Sequence, residues 1–175
     1  MTSPQTETSP KATSATGAGA TNAAQGAAAN ADRVLEITRH YPAPVDVVFR
    51  AWTDPAQLAQ WWGPEGVSVP KYELDIRVGG KWRTCMAMPD GNEMWVEGSY
   101  REIIEPDRLV FTWSWDQEDG SRGFETIVSV EFREKDGGTE MRLTQSLFED
   151  AESCRLHSEG WTSSFVCLAE QIARK

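Results

Sequence analysis

The stretch APVDVVFRAWTDPAQLAQWWGPEG, residues 43–66, predicts short helices in a chain that otherwise has the pattern of β-strands. In its first half, Val45, Val48, Phe49 and Trp52 recur at the i, i+3, i+4, i+7 spacing of one helical face. A short amphipathic helix is therefore predicted before the Asp54-Pro55 pair.

Asp54 and Pro55 begin a second helix, because aspartate is a preferred N-cap and proline is tolerated at the first helical position. This helix is predicted over 55–62, where a Gly-Pro pair ends it. Trp61 and Trp62 are adjacent at its end and point about 100° apart. The pair is interpreted as an apolar plug for the sheet, with the alternative that one ring lines the mouth of a pocket.

On both sides of this stretch, apolar residues alternate with polar ones in the period-two pattern of strands. The predicted strands cover residues 33–44, 67–76, 79–88, 93–104, 108–116, 124–134 and 139–148. The breaks between the later strands are short and carry Pro-Asp or Asp-Gly, which favours an antiparallel meander. The residues predicted to face inward are Trp82, Thr84, Met86, Met88, Leu109, Phe111, Trp113, Trp115, Thr126, Val128, Val130, Phe132, Met141, Leu143, Gln145 and Leu147.

A long C-terminal helix is predicted over about 150–174. Its apolar stripe is Cys154, His157, Trp161, Phe165, Leu168 and Ile172. Its length of roughly 37 Å matches a ten-residue strand of roughly 33 Å, so it can lie along the whole sheet. The predicted fold class is α+β: a curved antiparallel sheet of six to seven strands wrapped on this helix, with two short helices after strand 1.

Composition divides the 175 residues into a tail and one domain. Residues 1–31 are rich in Ala, Thr, Ser and Gly, contain no aromatic residue, and are predicted to be disordered. Residues 32–175 form the predicted domain and carry the net charge of −10, which argues against nucleic acid and anionic membrane surfaces as partners. The three cysteines are widely spaced, and free thiols fit a cytoplasmic protein.

Four motifs carry a resemblance to a known family: the stretch 43–66, DIRVGGKWR (75–83), PDRLVFTWSW (106–115) and HSEGW (157–161). Over residues 33–173 the chain resembles the SRPBCC or START-like superfamily, which includes the birch-pollen allergens. Within it, the chain is similar to the bacterial branch related to the C-terminal domain of the activator of heat-shock protein 90 ATPase. The resemblance implies the helix-grip fold and a cavity between sheet and long helix. Members bind sterols, lipids, plant hormones or polyketides there, and a few catalyse cyclisation or dehydration.

The leading hypothesis is therefore the binding of a small hydrophobic or aromatic ligand in that cavity. The alternative for the same aromatic residues is an ordinary packed core. The predicted ligand-binding residues are Trp62, Trp82, Thr84, Met86, Phe111, Trp113, Val128, Gln145, His157, Trp161 and Phe165.

His157 is the one weak candidate for a catalytic residue, as the acid or base of a cyclase, dehydratase or hydrolase. The alternative is a half-buried polar group whose hydrogen bonds are satisfied. Gly160 nearby is costly in a helix and indicates the close approach of a strand, of Trp52 or of a ligand. No metal or cofactor is expected, because His40 and His157 lie on distant elements and no Cys-x-x-Cys occurs.

A third hypothesis is a protein-protein module that stimulates a heat-shock chaperone ATPase. The eukaryotic activator has an additional N-terminal domain that makes much of the contact with the chaperone, and here residues 1–31 occupy that place. A chaperone partner is therefore not expected. A homodimer is a further possibility, which an edge strand or an exposed Trp95 could support.

Overall fold

The computed structural model describes residues 33–174, which fold as a sheet and three helices. The predicted disorder of residues 1–31 lies outside the described residues. The strands are β1 (Leu35–Tyr41), β2 (Ser68–Leu74), β3 (Lys81–Ala87), β4 (Glu93–Ile104), β5 (Arg108–Trp115), β6 (Thr126–Lys135) and β7 (Gly138–Ser146). The helices are α1 (Val45–Thr53), α2 (Pro55–Leu58) and α3 (Ala151–Ala173).

The seven strands form one antiparallel sheet in the order β1-β7-β6-β5-β4-β3-β2. Strands β2 to β7 follow one another as a meander, and β1 closes the far edge by pairing with β7 from Leu35↔Gln145 to Tyr41↔Thr139. The α+β fold class, with two short helices after strand 1 and a long C-terminal helix, is confirmed.

The first helix, α1, anchors the aromatic core through Trp52, which is 2% exposed. Its ring centroid lies 4.7 Å from that of Trp61 and 5.9 Å from those of Trp62 and Trp161. Aromatic pairs at these distances gain energy beyond the burial of their surface. One side chain of α1 thus holds together the residues after α2 and the middle of α3.

The second helix begins as predicted and ends earlier. Asp54 caps it by accepting hydrogen bonds from the backbone N–H groups of Ala56 and Gln57. The helix ends at Leu58, not at Trp62, and the chain continues in turns.

The C-terminal helix lies on the sheet with its predicted stripe inward. Asp150 is its N-cap, and its carboxylate accepts a hydrogen bond from the Ser153 N–H at 2.7 Å. Farther along, the Gln171 amide donates to the Gln57 carbonyl at 3.0 Å and so joins α3 to α2. The stripe residues Cys154, Trp161, Phe165, Leu168 and Ile172 are buried, and His157 is half-buried.

Two sequence-based expectations on single residues are wrong. Leu147 does not face inward: β7 ends at Ser146, Leu147 has a positive φ of 67° and is 58% exposed, and Phe148 takes the buried position. Trp95 is half-buried rather than exposed, because the Arg83 guanidinium covers its ring at 4.4 Å from the centroid.

Within residues 33–174, no helix is both long and apolar enough to span a bilayer.

Candidate functional site

A cavity of about 410 Å³ lies between the sheet and the first half of α3. Its floor comes from the ends of β3, β4 and β5, one wall from the residues after α2, and its roof from α3. The lining residues are Trp62, Gly63, Pro64, Met86, Met88, Met94, Trp113, Trp115, Leu156, His157, Gly160, Trp161 and Ser164. Aromatic rings, thioethers and glycines dominate this set, and no side chain in it is an acid, a lysine or an arginine.

Trp61 and Trp62 have different roles although both are buried. The indole N–H of Trp61 donates to the Ala51 carbonyl at 2.9 Å, so this ring joins α1 to the residues after α2 and acts as a plug. Trp62 points the other way. Its indole N–H donates to the Thr84 hydroxyl on β3 at 3.1 Å, and its ring forms part of the cavity wall.

Polar residues behind the wall accept hydrogen bonds from its indole N–H groups. Trp161 donates to the Gln145 side-chain oxygen at 2.7 Å, and the Gln145 amide donates in turn to the Thr126 hydroxyl at 2.8 Å. Gln145 is fully buried and does not reach the cavity. It belongs to a hydrogen-bonded chain that fixes the orientation of Trp161.

Trp113 is the exception among the tryptophans of the wall. Its indole N–H is buried and finds no acceptor within the described part of the chain. The ring packs at 5.5 Å from Trp62 and Trp82 and at 5.2 Å from Trp161, which holds it in place. The Trp113 ring is therefore closely packed in the wall.

His157 uses both of its ring nitrogens within the protein. Nδ1 lies 2.7 Å from the Ser153 carbonyl oxygen, which can only accept, so Nδ1 carries the proton. Nε2 then accepts the indole N–H of Trp115 at 2.9 Å. Burial lowers the pKa of His157 below its ordinary value of 6.5, and the backbone hydrogen bond opposes this in part. The side chain is thus a neutral imidazole at pH 7 with both nitrogens occupied.

The mouth of the cavity is apolar as well. Met94 is 45% exposed and Leu156 is 52% exposed, and both belong to the lining. Methionine side chains are flexible and polarisable, and they adapt to apolar ligands of irregular shape. Met86 and Met88 continue this lining toward the interior.

The cavity wall contains only part of the predicted ligand-binding set. The predicted residues that lie on it are Trp62, Met86, Trp113, His157 and Trp161. The predicted residues that lie elsewhere are Trp82, Thr84, Phe111, Val128, Gln145 and Phe165.

These six residues are excluded from the wall because the neighbouring core is filled. Trp82 and Phe111 pack at 5.7 Å and border a gap of about 10 Å³, too small for a ligand. Trp82 also borders a separate pocket of about 220 Å³, which it shares with charged residues such as Arg83 and Glu97. Val128 and Phe165 are buried in the same core. Thr84 bonds to Trp62 from behind. Whether any of the eleven predicted residues contacts a ligand stays a prediction.

The sequence-based set missed several residues of the wall: Gly63, Pro64, Met88, Met94, Trp115, Leu156, Gly160 and Ser164. Met88 and Trp115 continue the inward alternation of β3 and β5, so the sequence pattern was sufficient to predict that they face the interior. Neither a strand nor Trp52 closely approaches Gly160. A Cβ at this position would meet no atom within 4 Å.

Among residues 33–174, no three His, Cys, Asp or Glu side chains are grouped so that they could hold a metal ion. The prediction of no metal and no cofactor is not tested by this finding.

Comparison with known proteins gives a consistent result. The family described as "Activator of Hsp90 ATPase homolog 1-like protein" matches residues 42–173. No curated protein matches the chain significantly.

Several solved structures are similar. The AHSA1 protein from Silicibacter pomeroyi is 34% identical with a TM-score of 0.75, and the match covers 80% of this chain and 97% of that one. A protein from Rhizobium leguminosarum is 27% identical with a TM-score of 0.69, covering 81% and 95%. A protein from Arthrobacter aurescens, 24% identical with a TM-score of 0.73 and coverage of 83% and 88%, shares the fold.

Proposed function

The chain belongs to the family of Activator of Hsp90 ATPase homolog 1-like proteins, and we propose that it binds a small apolar or aromatic ligand in the cavity beneath α3. One observation carries the proposal: a partly open cavity of about 410 Å³ lined mainly by tryptophan and methionine side chains. This volume lies within the range of roughly 300–1,000 Å³ found for ligand pockets.

The chemistry of the wall favours an uncharged group inside it. Three of its tryptophans donate their indole N–H to protein acceptors, and the Ser164 hydroxyl donates to the Gly160 carbonyl at 2.8 Å. A charged group in the cavity would lose its hydration and find no partner of opposite sign there. Apolar contact and shape would therefore provide the affinity.

Gly160 offers a direct test, because a side chain added there enters open space in the cavity lining. We expect Gly160→Leu to fold, to fill part of the cavity, and to weaken binding of methylnaphthalene by at least about tenfold. Gly160→Ala is the matched control: it leaves most of the space and stabilises the helix by about 1 kcal/mol. Quenching of tryptophan fluorescence and the shift in Tm measure the binding. Equal affinity in the wild type and Gly160→Leu would refute the cavity as the site.

Native mass spectrometry of protein purified from its own host would identify a carried ligand. An added mass that disappears on denaturation supports the proposal. Its composition would name the ligand.

An enzymatic role with His157 as acid or base is the weaker alternative. A proton-transfer group needs a nitrogen that can reach the substrate, whereas the two nitrogens of His157 bond to Ser153 and Trp115. Turnover of an identified substrate that is lost in His157→Ala would favour catalysis over binding.

Stimulation of a heat-shock ATPase is the alternative that the family description raises. It is tested by adding the protein to the chaperone of its host and measuring ATP hydrolysis. An increased rate that Gly160→Leu preserves would place the activity on the surface and not in the cavity.

A further inference from the structure

A second, smaller cavity lies directly behind one wall of the first. It has a volume of about 140 Å³ and is partly open to solvent. Its lining residues are Trp113, Trp115, Gln117, Phe124, Thr126, Glu149, Ser153 and His157. Trp113, Trp115 and His157 belong to the linings of both cavities. These three side chains are therefore the partition between two spaces of different size.

The part of this partition that a side-chain hydrogen bond joins is the pair of Trp115 and His157. The indole N–H of Trp115 donates to His157 Nε2 at 2.9 Å, with ring centroids 6.2 Å apart. Trp113 is held by close packing on several rings, whereas Trp115 is half-buried and packs its ring against Trp113 and His157. Rotating one half-buried indole breaks one hydrogen bond and leaves the layer around Trp113 in place.

Trp115 is held in the sheet by its backbone. Strand β5 pairs with β6 only as far as Trp113↔Thr126. Trp115 is the last residue of β5; it pairs with Val96 of β4, and its carbonyl accepts a hydrogen bond from the Gly123 N–H at 2.8 Å. A change of the Trp115 side chain therefore leaves the β5–β6 ladder intact.

The two cavities differ in chemistry. The larger one has no charged residue in its lining, whereas the lining of the smaller one includes the polar residues Gln117, Thr126 and Ser153 and the acidic residue Glu149. Glu149 is exposed and makes no ion pair with any residue that the structure describes. The smaller cavity therefore favours a group that donates hydrogen bonds, above all a cation, and disfavours an anion.

We propose that the two cavities form one divided site for an elongated ligand, with an apolar body in the larger cavity and a hydrogen-bond-donating end, best a protonated amine, beside Glu149. The ligand displaces the Trp115 ring from His157 as it passes the partition. This inference rests on the proposed function, because it assumes that the larger cavity holds an apolar body.

Three probes with the same ring system test the inference: methylnaphthalene, naphthylhexylamine and naphthylhexanoic acid. Methylnaphthalene occupies the larger cavity alone and reports on the proposed function. We expect naphthylhexylamine to bind more tightly than methylnaphthalene, and about tenfold more tightly than naphthylhexanoic acid at low ionic strength. Titration calorimetry measures all three affinities.

Two variants that each remove one negative charge test whether the amine of the ligand binds beside Glu149. Glu149→Gln is expected to bring the amine-to-acid affinity ratio close to unity. Glu170→Gln, an exposed position near the other end of α3, is expected to leave the ratio unchanged. An unchanged ratio in Glu149→Gln would overturn the inference.

Opening the partition is the second test. Trp115→Ala is expected to raise the affinity for naphthylhexylamine relative to methylnaphthalene by at least about threefold, because the amine no longer displaces a ring. Suppose that methylnaphthalene binds the wild type, but naphthylhexylamine binds no more tightly than methylnaphthalene in the wild type or in Trp115→Ala. The divided site is then refuted and the proposed function stands. If methylnaphthalene fails to bind, both fail together.

Discussion

At the scale of single residues, His157 makes folding stability depend on pH. Its pKa in the folded protein is lowered by burial, whereas in the unfolded chain it returns to its ordinary value of 6.5. As the pH falls through 6.5 toward the folded pKa, the unfolded chain takes up a proton and the folded one does not. The free energy of unfolding therefore decreases across that window, and below the folded pKa it no longer depends on this group.

His157→Gln isolates this contribution, because a glutamine amide does not titrate. We expect the wild type to lose more stability than His157→Gln between about pH 7.5 and about pH 5. Urea unfolding followed by tryptophan fluorescence measures both proteins, and carboxylates that titrate in this range affect them equally. Parallel pH profiles for the two proteins would contradict the neutral, doubly bonded imidazole.

Gly98 occupies a position in β4 where the fold leaves no room for a side chain. A Cβ there would lie 1.8 Å from the Thr112 carbonyl oxygen and 2.6 Å from the Trp82 indole nitrogen. The carbonyl belongs to the neighbouring strand β5 and cannot move without breaking the sheet. We expect Gly98→Ala to lower the free energy of unfolding by at least about 3 kcal/mol. Gly160→Ala, where the added methyl meets nothing, is the control and changes stability in the opposite direction. Similar effects of the two substitutions in urea unfolding would refute this account.

At the scale of secondary-structure elements, the start of α3 depends on the Asp150 cap. Its carboxylate accepts from the Ser153 N–H, and an uncapped first turn leaves that donor to water. We expect Asp150→Ala to be about 1 kcal/mol less stable than Asp150→Ser. The two variants carry the same charge, so their difference in urea unfolding reports the hydrogen bond alone. Equal stability would show that the cap contributes nothing.

The elements were predictable from the sequence because alternation and helical spacing respond to the same burial that the structure shows. β4 has its predicted bounds, and most other strand ends differ by one to three residues. The end of α2 was not predictable from spacing. The side chains of Trp61 and Trp62 bond in different directions, to Ala51 and to Thr84, and these tertiary bonds accompany the change from helix to turns.

The candidate site was predictable only in part, because alternation along a strand gives only some of the information that defines a cavity. Alternation shows which side chains point inward, but it does not show where along a strand the interior is filled. Near Phe111 and Trp82 the rings of α1 and of the residues after α2 occupy the space, with Trp62 at 5.8 Å from Trp82 and Trp52 at 6.3 Å from Phe111. Nearer the start of α3, where Gly160 has no side chain, the space stays open.

At the scale of the whole molecule, we expect the fold to require β1 but not residues 1–31. β1 pairs with β7 along its whole length and buries Leu35, Ile37 and Tyr41. Residues 1–31 contain no Val, Ile, Leu or aromatic residue with which to bury comparable surface. The two segments should therefore respond differently to deletion.

We expect deletion of residues 1–31 to change the free energy of unfolding by less than about 0.5 kcal/mol and to leave methylnaphthalene binding unchanged. Deletion of residues 1–41 should prevent folding, because it removes β1 and exposes the edge of β7. All eight tryptophans lie after residue 41, so the same fluorescence reporters follow both deletions. A stability loss in the shorter deletion comparable to that in the longer one would show that residues 1–31 pack on the domain, against the prediction of disorder.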